Sequence, residues 1–220
     1  NNCIKTKKIE IGKQCNSAKK CILAYQFCIM HLLYNFLTHI STFFIWVAQL
    51  FNPKMKLFIK GRKLVFDQLR SAIDIDDRTI WFHCASLGEF EQGVPVMERV
   101  KKMYSGHKLV ITFFSPSGYE VKKSAPIADV ITYLPLDTPG NVRKFLKLVH
   151  PSVVVFVKNE IWPNYLFEIK KNSIPVVLIS ALFRNEQSFF KSSGRFMRKA
   201  LFSFDHIFVQ DKHSLELLKG

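Results

Sequence analysis

Six short runs of apolar and β-branched residues punctuate the downstream part of the chain, at 79–84, 108–114, 130–134, 153–157, 176–179 and 206–209. Each is bounded by turn residues and followed by a stretch whose apolar positions recur at helical spacing. Runs of this kind predict strands, and their alternation with helices predicts βαβ units around a mainly parallel sheet covered on both faces. Ligands of such sheets bind beyond the carboxyl ends of the strands. The unusual polar residues of this sequence cluster there.

Upstream the pattern differs. Residues 22–51 contain no Lys, Arg, Asp or Glu, and MHLLYNFLTHISTFFIWVAQLF (30–51) has the roughly 20 residues that cross a bilayer as a helix. His31, Asn35, His39 and Gln49 fit poorly in such a span, whereas Tyr25, Tyr34 and Trp46 suit a membrane interface. The basic group Lys54, Lys56, Lys60, Arg62 and Lys63 follows, predicting a cytoplasmic flank against anionic headgroups. Residues 30–63 therefore read as a hydrophobic membrane-anchor helix with its basic flank, spanning the bilayer or lying in its interface. A secretory signal fits less well, because no small-residue cleavage site follows the apolar stretch. The first Met is Met30, and residues 1–29 are expected to be a non-native or disordered leader. Residues 64–220 form the expected α/β domain. Within it, residues 186–204 mix Phe and Met with Lys and Arg and predict a basic amphipathic helix, docked on the sheet or facing a membrane.

Charge narrows the partners. Lys and Arg total 32 against 17 Asp and Glu, a formal charge of +15, which calls for nucleic acid, an acidic membrane surface or a phosphorylated substrate. Neither a helix-turn-helix nor an aromatic RNP pattern is present, so nucleic acid is not expected. Four of the five cysteines lie in the first 28 residues. No C-x-x-C pair suggests zinc and no disulfide framework spreads through the fold, so a reducing setting fits best. Cys84 ends an apolar run and no base is identifiable beside it, which favours a buried strand residue over a nucleophile.

The loops after the strands hold the candidate chemistry. In FHCASLGEFEQ (82–92) Ser86-Leu87-Gly88 makes a turn and Glu89 falls at the start of a helix. A carboxylate there has two readings, a helix-start acid favoured by the dipole or a general base. In ITFFSPSGYE (111–120), Ser115, Ser117 and Gly118 offer an anion cradle at a helix start, or an ordinary Ser-capped turn. No Walker loop or GxGxxG fingerprint occurs. In YLPLDTPGNVRKFL (133–146), Asp137 reads as a helix cap rather than a catalyst. After the fourth run, Lys158, Asn159 and Glu160 collect beside Trp162 in KNEIWPN (158–164), and Arg184 adds a cation after the fifth.

Taken together, FHCASLGEFEQ, ITFFSPSGYE, YLPLDTPGNVRKFL and NEIWPN, with FNPKMKLFIKGRK (51–63) ahead of them, resemble the 3-deoxy-D-manno-octulosonic acid (Kdo) transferases of lipid A biosynthesis over about residues 30–220. The resemblance implies an α/β, Rossmann-like N-terminal domain of a GT-B glycosyltransferase preceded by a membrane anchor, at the cytoplasmic face of the bacterial inner membrane. It implies transfer of Kdo from CMP-Kdo to a hydroxyl of the lipid A precursor lipid IVA, with inversion, no cofactor and no essential metal. Glu89 matches the family's general base in its Ser-x-Gly-Glu motif. Ser86, Gly88, Ser115, Ser117, Gly118, Glu160 and Arg184 are expected to line the acceptor site. Two positions depart from the family pattern. Lys158 stands where many members carry a carboxylate, and Ser180-Ala181-Leu182 where many read Asn-Ala-Arg, leaving Arg184 two residues on as a substitute cation. Lys158 is expected to pair with the Kdo carboxylate or a phosphate. The donor-binding C-terminal domain is expected beyond Gly220, so this portion alone is expected to transfer nothing. The other reading is a non-catalytic membrane-associated module that binds anionic lipid through its basic face.

Overall fold

The computed structural model describes residues 3–5 and 17–219. The chain runs β1 (Cys3–Lys5), α1 (Ser17–Ala48), α2 (Pro53–Lys63), α3 (Val65–Ala72), β2 (Arg78–Cys84), α4 (Leu87–Met103), β3 (His107–Phe113), α5 (Pro116–Lys122), β4 (Val130–Tyr133) and α6 (Pro139–Val149). It continues through β5 (Pro151–Val157), α7 (Pro163–Lys171), β6 (Val176–Ala181), α8 (Arg195–Leu201), β7 (His206–Val209) and α9 (Lys212–Lys219). The six strands expected from the apolar runs are β2 to β7, shifted by no more than two residues at any end. All six are parallel, and β1 pairs antiparallel with β7 at the edge.

The sheet order is β1-β7-β6-β5-β2-β3-β4. Starting at β2, the chain winds outward through β3 and β4, then returns to the other side of β2 and winds outward through β5, β6 and β7. The order reverses between β2 and β5, the place where open α/β sheets have their ligand crevice, beyond the carboxyl ends of the strands.

Alternation along β2 splits the core into two layers. Trp81 faces a cluster with Val65 and Leu69 of α3, Phe145 of α6, Tyr165 of α7 and Leu201 of α8. Its ring lies 4.8 Å from Phe145 and 5.6 Å from Tyr165. Ile80, Phe82 and Cys84 face the opposite layer, which Phe90 and Met97 of α4 cover. Cys84 is fully buried, and burial, then Glu89 and Glu160, push its thiol pKa well up. It is a core residue, as its apolar surroundings predict.

Ala24–Ala48 within α1 is long and apolar enough to cross a membrane. One side of this helix docks on the domain. Phe27 meets Phe167 and Phe196, and the Lys199 ammonium sits 3.3 Å over the Phe27 ring. His31 Nε2 lies 2.7 Å from Asn164 Oδ1, the Tyr34 hydroxyl donates to Asp137 at 2.7 Å, and Asn164 Nδ2 donates to Asn35 at 2.9 Å. Residues 27, 31, 34 and 35 share one helical face. Two of the four polar residues that fit poorly in a span thus find partners on the domain, while Leu32, Phe36, Phe43 and Phe44 remain exposed.

Four features differ from the sequence expectations. The break expected at residue 30 falls inside α1, and within the expected leader 3–5 form a strand and 17–29 a helix; residues 1, 2 and 6–16 lie outside the described residues. The basic flank is itself helical, as α2. Residues 186–204 hold two 3-10 turns, Ser188–Phe190 and Ser192–Gly194, before the seven-residue α8. The chain folds back there so tightly that a Cβ on Gly194 would stand 1.7 Å from the Ser188 carbonyl oxygen. Asp137 does cap a helix, but the spatially adjacent α7: its carboxylate accepts from the amides of Asn164 (3.1 Å) and Tyr165 (3.0 Å). Burial pushes the Asp137 pKa up to about 6 against these hydrogen bonds.

Candidate active site at the strand switch point

Glu89 enters the crevice from the β2 loop. Ser86 takes the extended conformation of an N-cap, and Glu89, three residues on, turns its carboxylate back to the loop. Oε2 accepts from the amides of Ala85 and Ser86, the latter at 3.1 Å. Oε1 has no described partner. Burial first, then the nearby Glu160 carboxylate, raise the Glu89 pKa above the ordinary carboxylate range, against the two amides and His83, which lower it. A carboxylate held by one oxygen, with its proton affinity raised and its other oxygen unclaimed, is equipped to take a proton.

Glu160 comes from the β5 loop, on the other side of the switch point. Its Oε2 accepts from the Trp162 indole at 2.8 Å and faces His83 Nε2 at 3.4 Å. Trp162 packs 4.7 Å from Phe114, and Phe114 lies 4.8 Å from the Arg62 guanidinium. Arg62 donates to the carbonyls of Leu134 (2.9 Å), Phe58 (3.1 Å) and Phe114 (2.8 Å). It therefore ties α2 to the loops after β3 and β4. Burial pushes its pKa down to about 9, so it remains a cation at neutral pH.

The β3 loop closes the third side. The Ser115 amide donates to the Ala85 carbonyl at 2.8 Å, and the Ser115 and Ser117 hydroxyls lie 2.8 Å apart. Ser115 caps α5, accepting from the Ser117 amide. Gly118 is buried against α4: a Cβ there would come 2.5 Å from the Phe113 ring and 2.9 Å from the Leu87 amide nitrogen. A ring can turn but a helix start cannot. Gly118→Ala is expected to lower stability by about 1–3 kcal/mol through overpacking, measured as a fall in the urea midpoint. An unchanged midpoint would show that the two helix starts are not in fixed contact.

Lys158, just after β5, and Ser180, next to last in the adjacent β6, take left-handed backbone conformations, with φ of 67° and 54°. Each non-glycine residue held there costs on the order of 1–2 kcal/mol. Asn159 holds the two loops together, its amide bonding both the carbonyl and the N–H of Leu182. Gly88 is exposed with nothing near its α-carbon. Arg184 is exposed, and its guanidinium has no partner among the described residues.

The structure thus brings together Ser86, Glu89, Ser115, Ser117, Gly118 and Glu160, and sets Lys158 at the same rim, while Arg184 makes no contact with them. Sequence reasoning missed three contributors. Arg62 looked like one more basic-flank residue, His83 like part of a strand, and Asn159 like one polar residue in a cluster. A His inside an otherwise apolar β-branched run was the available signal for His83.

The family model described as "3-Deoxy-D-manno-octulosonic-acid transferase (kdotransferase)" matches residues 58–220. Among curated proteins, the 3-deoxy-D-manno-octulosonic acid transferase of Aquifex aeolicus is 30% identical over 142 residues, covering 64% of this chain and 36% of that protein. The transferase of Haemophilus influenzae is 32% identical over 104 residues, covering 46% and 24%. That of Chlamydophila psittaci is 30% identical over 135 residues, covering 60% and 31%. The chain spans about a third or less of these relatives. With the family match running through every strand from β2 to β7 and both loops of the switch point, the chain belongs to the Kdo transferase family.

Proposed function

We propose that the chain is the acceptor-binding part of a glycosyltransferase that moves Kdo from CMP-Kdo to lipid IVA, with Glu89 as general base. The observation that carries this reading is the Glu89 carboxylate, fixed through Oε2 at the switch-point crevice with Oε1 unclaimed. As the acceptor oxygen attacks the anomeric carbon, Oε1 takes its proton and the bond from that carbon to the CMP phosphate breaks, inverting the centre. Ser86, Gly88, Ser115, Ser117 and Glu160 form the acceptor surface, with Gly118 packed beneath it and Arg184 as a further exposed cation. Lys158, at the rim, meets the Kdo carboxylate or a phosphate. Residues 30–63 anchor the domain of residues 64–220 at the cytoplasmic face of the inner membrane, and the exposed apolar side of α1 and the basic α2 support that placement.

Incubating the full-length protein with CMP-Kdo and lipid IVA in detergent, then reading product mass, tests the proposal. The expected product is lipid IVA heavier by one or more Kdo units. Intact lipid IVA after prolonged incubation with folded protein would remove this acceptor and leave the reading as an anionic-lipid-binding module.

A further inference from the structure

His83 is fully buried at the penultimate position of β2, level with Thr112 of β3 and Phe156 of β5. Its Nδ1 lies 2.9 Å from Thr112 Oγ1, and its buried Nε2, without a hydrogen bond among the described residues, lies 3.4 Å from Glu160 Oε2. The Trp81 indole, which can only donate, gives its proton to the same Thr112 oxygen at 2.8 Å. Thr112 has one proton of its own to place, on His83 Nδ1 or on the Phe82 carbonyl at 3.4 Å.

If Thr112 donates to Nδ1, the neutral ring carries its hydrogen on Nε2, facing Glu160. If Nδ1 instead donated to Thr112, a bare Nε2 would set its lone pair against the Glu160 carboxylate, so the first arrangement is the one that suits the pair. The Nε2 hydrogen then lies on the side of Glu160 Oε2. The other titratable groups facing this pair are Glu89 at the start of α4 and the Cys84 thiol on β2.

We propose that His83 is a positioning residue for the transfer: its Nε2 side is held against Glu160 and fixes the direction of that carboxylate near Glu89. Trp81 and Thr112 aim the imidazole from below, and Trp162 holds the same Glu160 oxygen from the side. The inference rests on the reading of Glu89 and Glu160 as site residues.

The test is a double-mutant cycle in the full-length protein, with transfer kinetics and thermal melts for each variant. His83→Phe keeps the ring volume and orphans no buried donor, because Thr112 can still accept from Trp81 and donate to Phe82. Its kcat is expected to fall roughly 10- to 100-fold, as for other residues that orient a site group from behind, with the acceptor KM little changed. His83→Gln, whose amide can donate toward Glu160, is expected to recover most of that loss. In the Glu160→Gln background, His83→Phe is expected to change kcat by less than about twofold, because the coupled partner is already gone. Wild-type kcat in His83→Phe, or the same fractional loss with and without Glu160→Gln, would overturn the proposal. Should His83→Phe melt early, the His83→Gln variant is read in the same cycle, where any loss must again be masked by Glu160→Gln. Full activity in Glu89→Gln would instead remove the base while leaving this masking intact, so the two readings fail separately.

Discussion

Glu89→Gln in the full-length protein is expected to lower Kdo transfer by about 10² to 10⁴-fold, the usual contribution of a general base, with folding preserved. A Gln at this position can still accept from the Ala85 and Ser86 amides, as Gln does in a capping box, so only the proton acceptor is lost. Glu89→Ala should lose as much activity and, with the cap gone, about 0.5–2 kcal/mol of stability as well. The pair therefore separates chemistry from capping. Because burial and Glu160 raise the Glu89 pKa, the wild-type rate should fall as pH drops through a value above the ordinary carboxylate range, and the residual rate of Glu89→Gln should lack that limb. The sign for stability runs the other way. A carboxyl group whose folded pKa is raised stabilises the fold below its unfolded pKa, and that contribution is lost as pH rises through the folded value. Above its folded pKa, ionised Glu89 is thus a cost, and there Glu89→Gln should melt no lower than wild type. Transfer near the wild-type rate in Glu89→Gln would take Glu89 out of the mechanism.

Arg62→Ala is expected to cost on the order of 3 kcal/mol, because it strands the Leu134 and Phe114 carbonyls that a half-buried cation now satisfies and empties a slot between three aromatic rings. For a chain of this size that is a fall of roughly 10 °C in melting temperature. Arg62→Lys keeps the charge but loses the planar fork, and a single ammonium cannot replace contacts to three separate segments, so an intermediate fall is expected. A loss within about 0.5 kcal/mol, the range of ordinary surface substitutions, would show that the guanidinium does not hold these loops.

The strands were legible because β-branched runs bounded by turn residues carry their own signal, and the parallel sheet followed from the alternation with helices. What stayed hidden depended on partners far along the chain. Arg62 reaches the Leu134 and Phe114 carbonyls, 72 and 52 positions away, and nothing within α2 marks it out from its basic neighbours. The edge strand β1 is three residues long and exists only by pairing with β7. Residues 186–204 kept a helical period in composition, yet the close approach of Gly194 to Ser188 breaks the helix into turns. For the candidate site, the place of Glu89 at a helix start after a strand was legible. Glu160 was visible only as part of a polar cluster. That the Glu160 carboxylate comes near enough to raise the Glu89 pKa follows from strand order, which local sequence does not encode.

The docked side of α1 has a mechanical consequence. The helix is about 48 Å long by its rise per residue, and its hydrogen bonds to Asn164 and Asp137 occupy a short stretch between His31 and Asn35. Asn164 lies two residues past Trp162, the side chain that holds Glu160. A tilt of α1 therefore pulls on the start of α7 with the leverage of a long arm on a short fulcrum, and the strain arrives next to the crevice. The apolar helix is geared to the site rather than tethered to it.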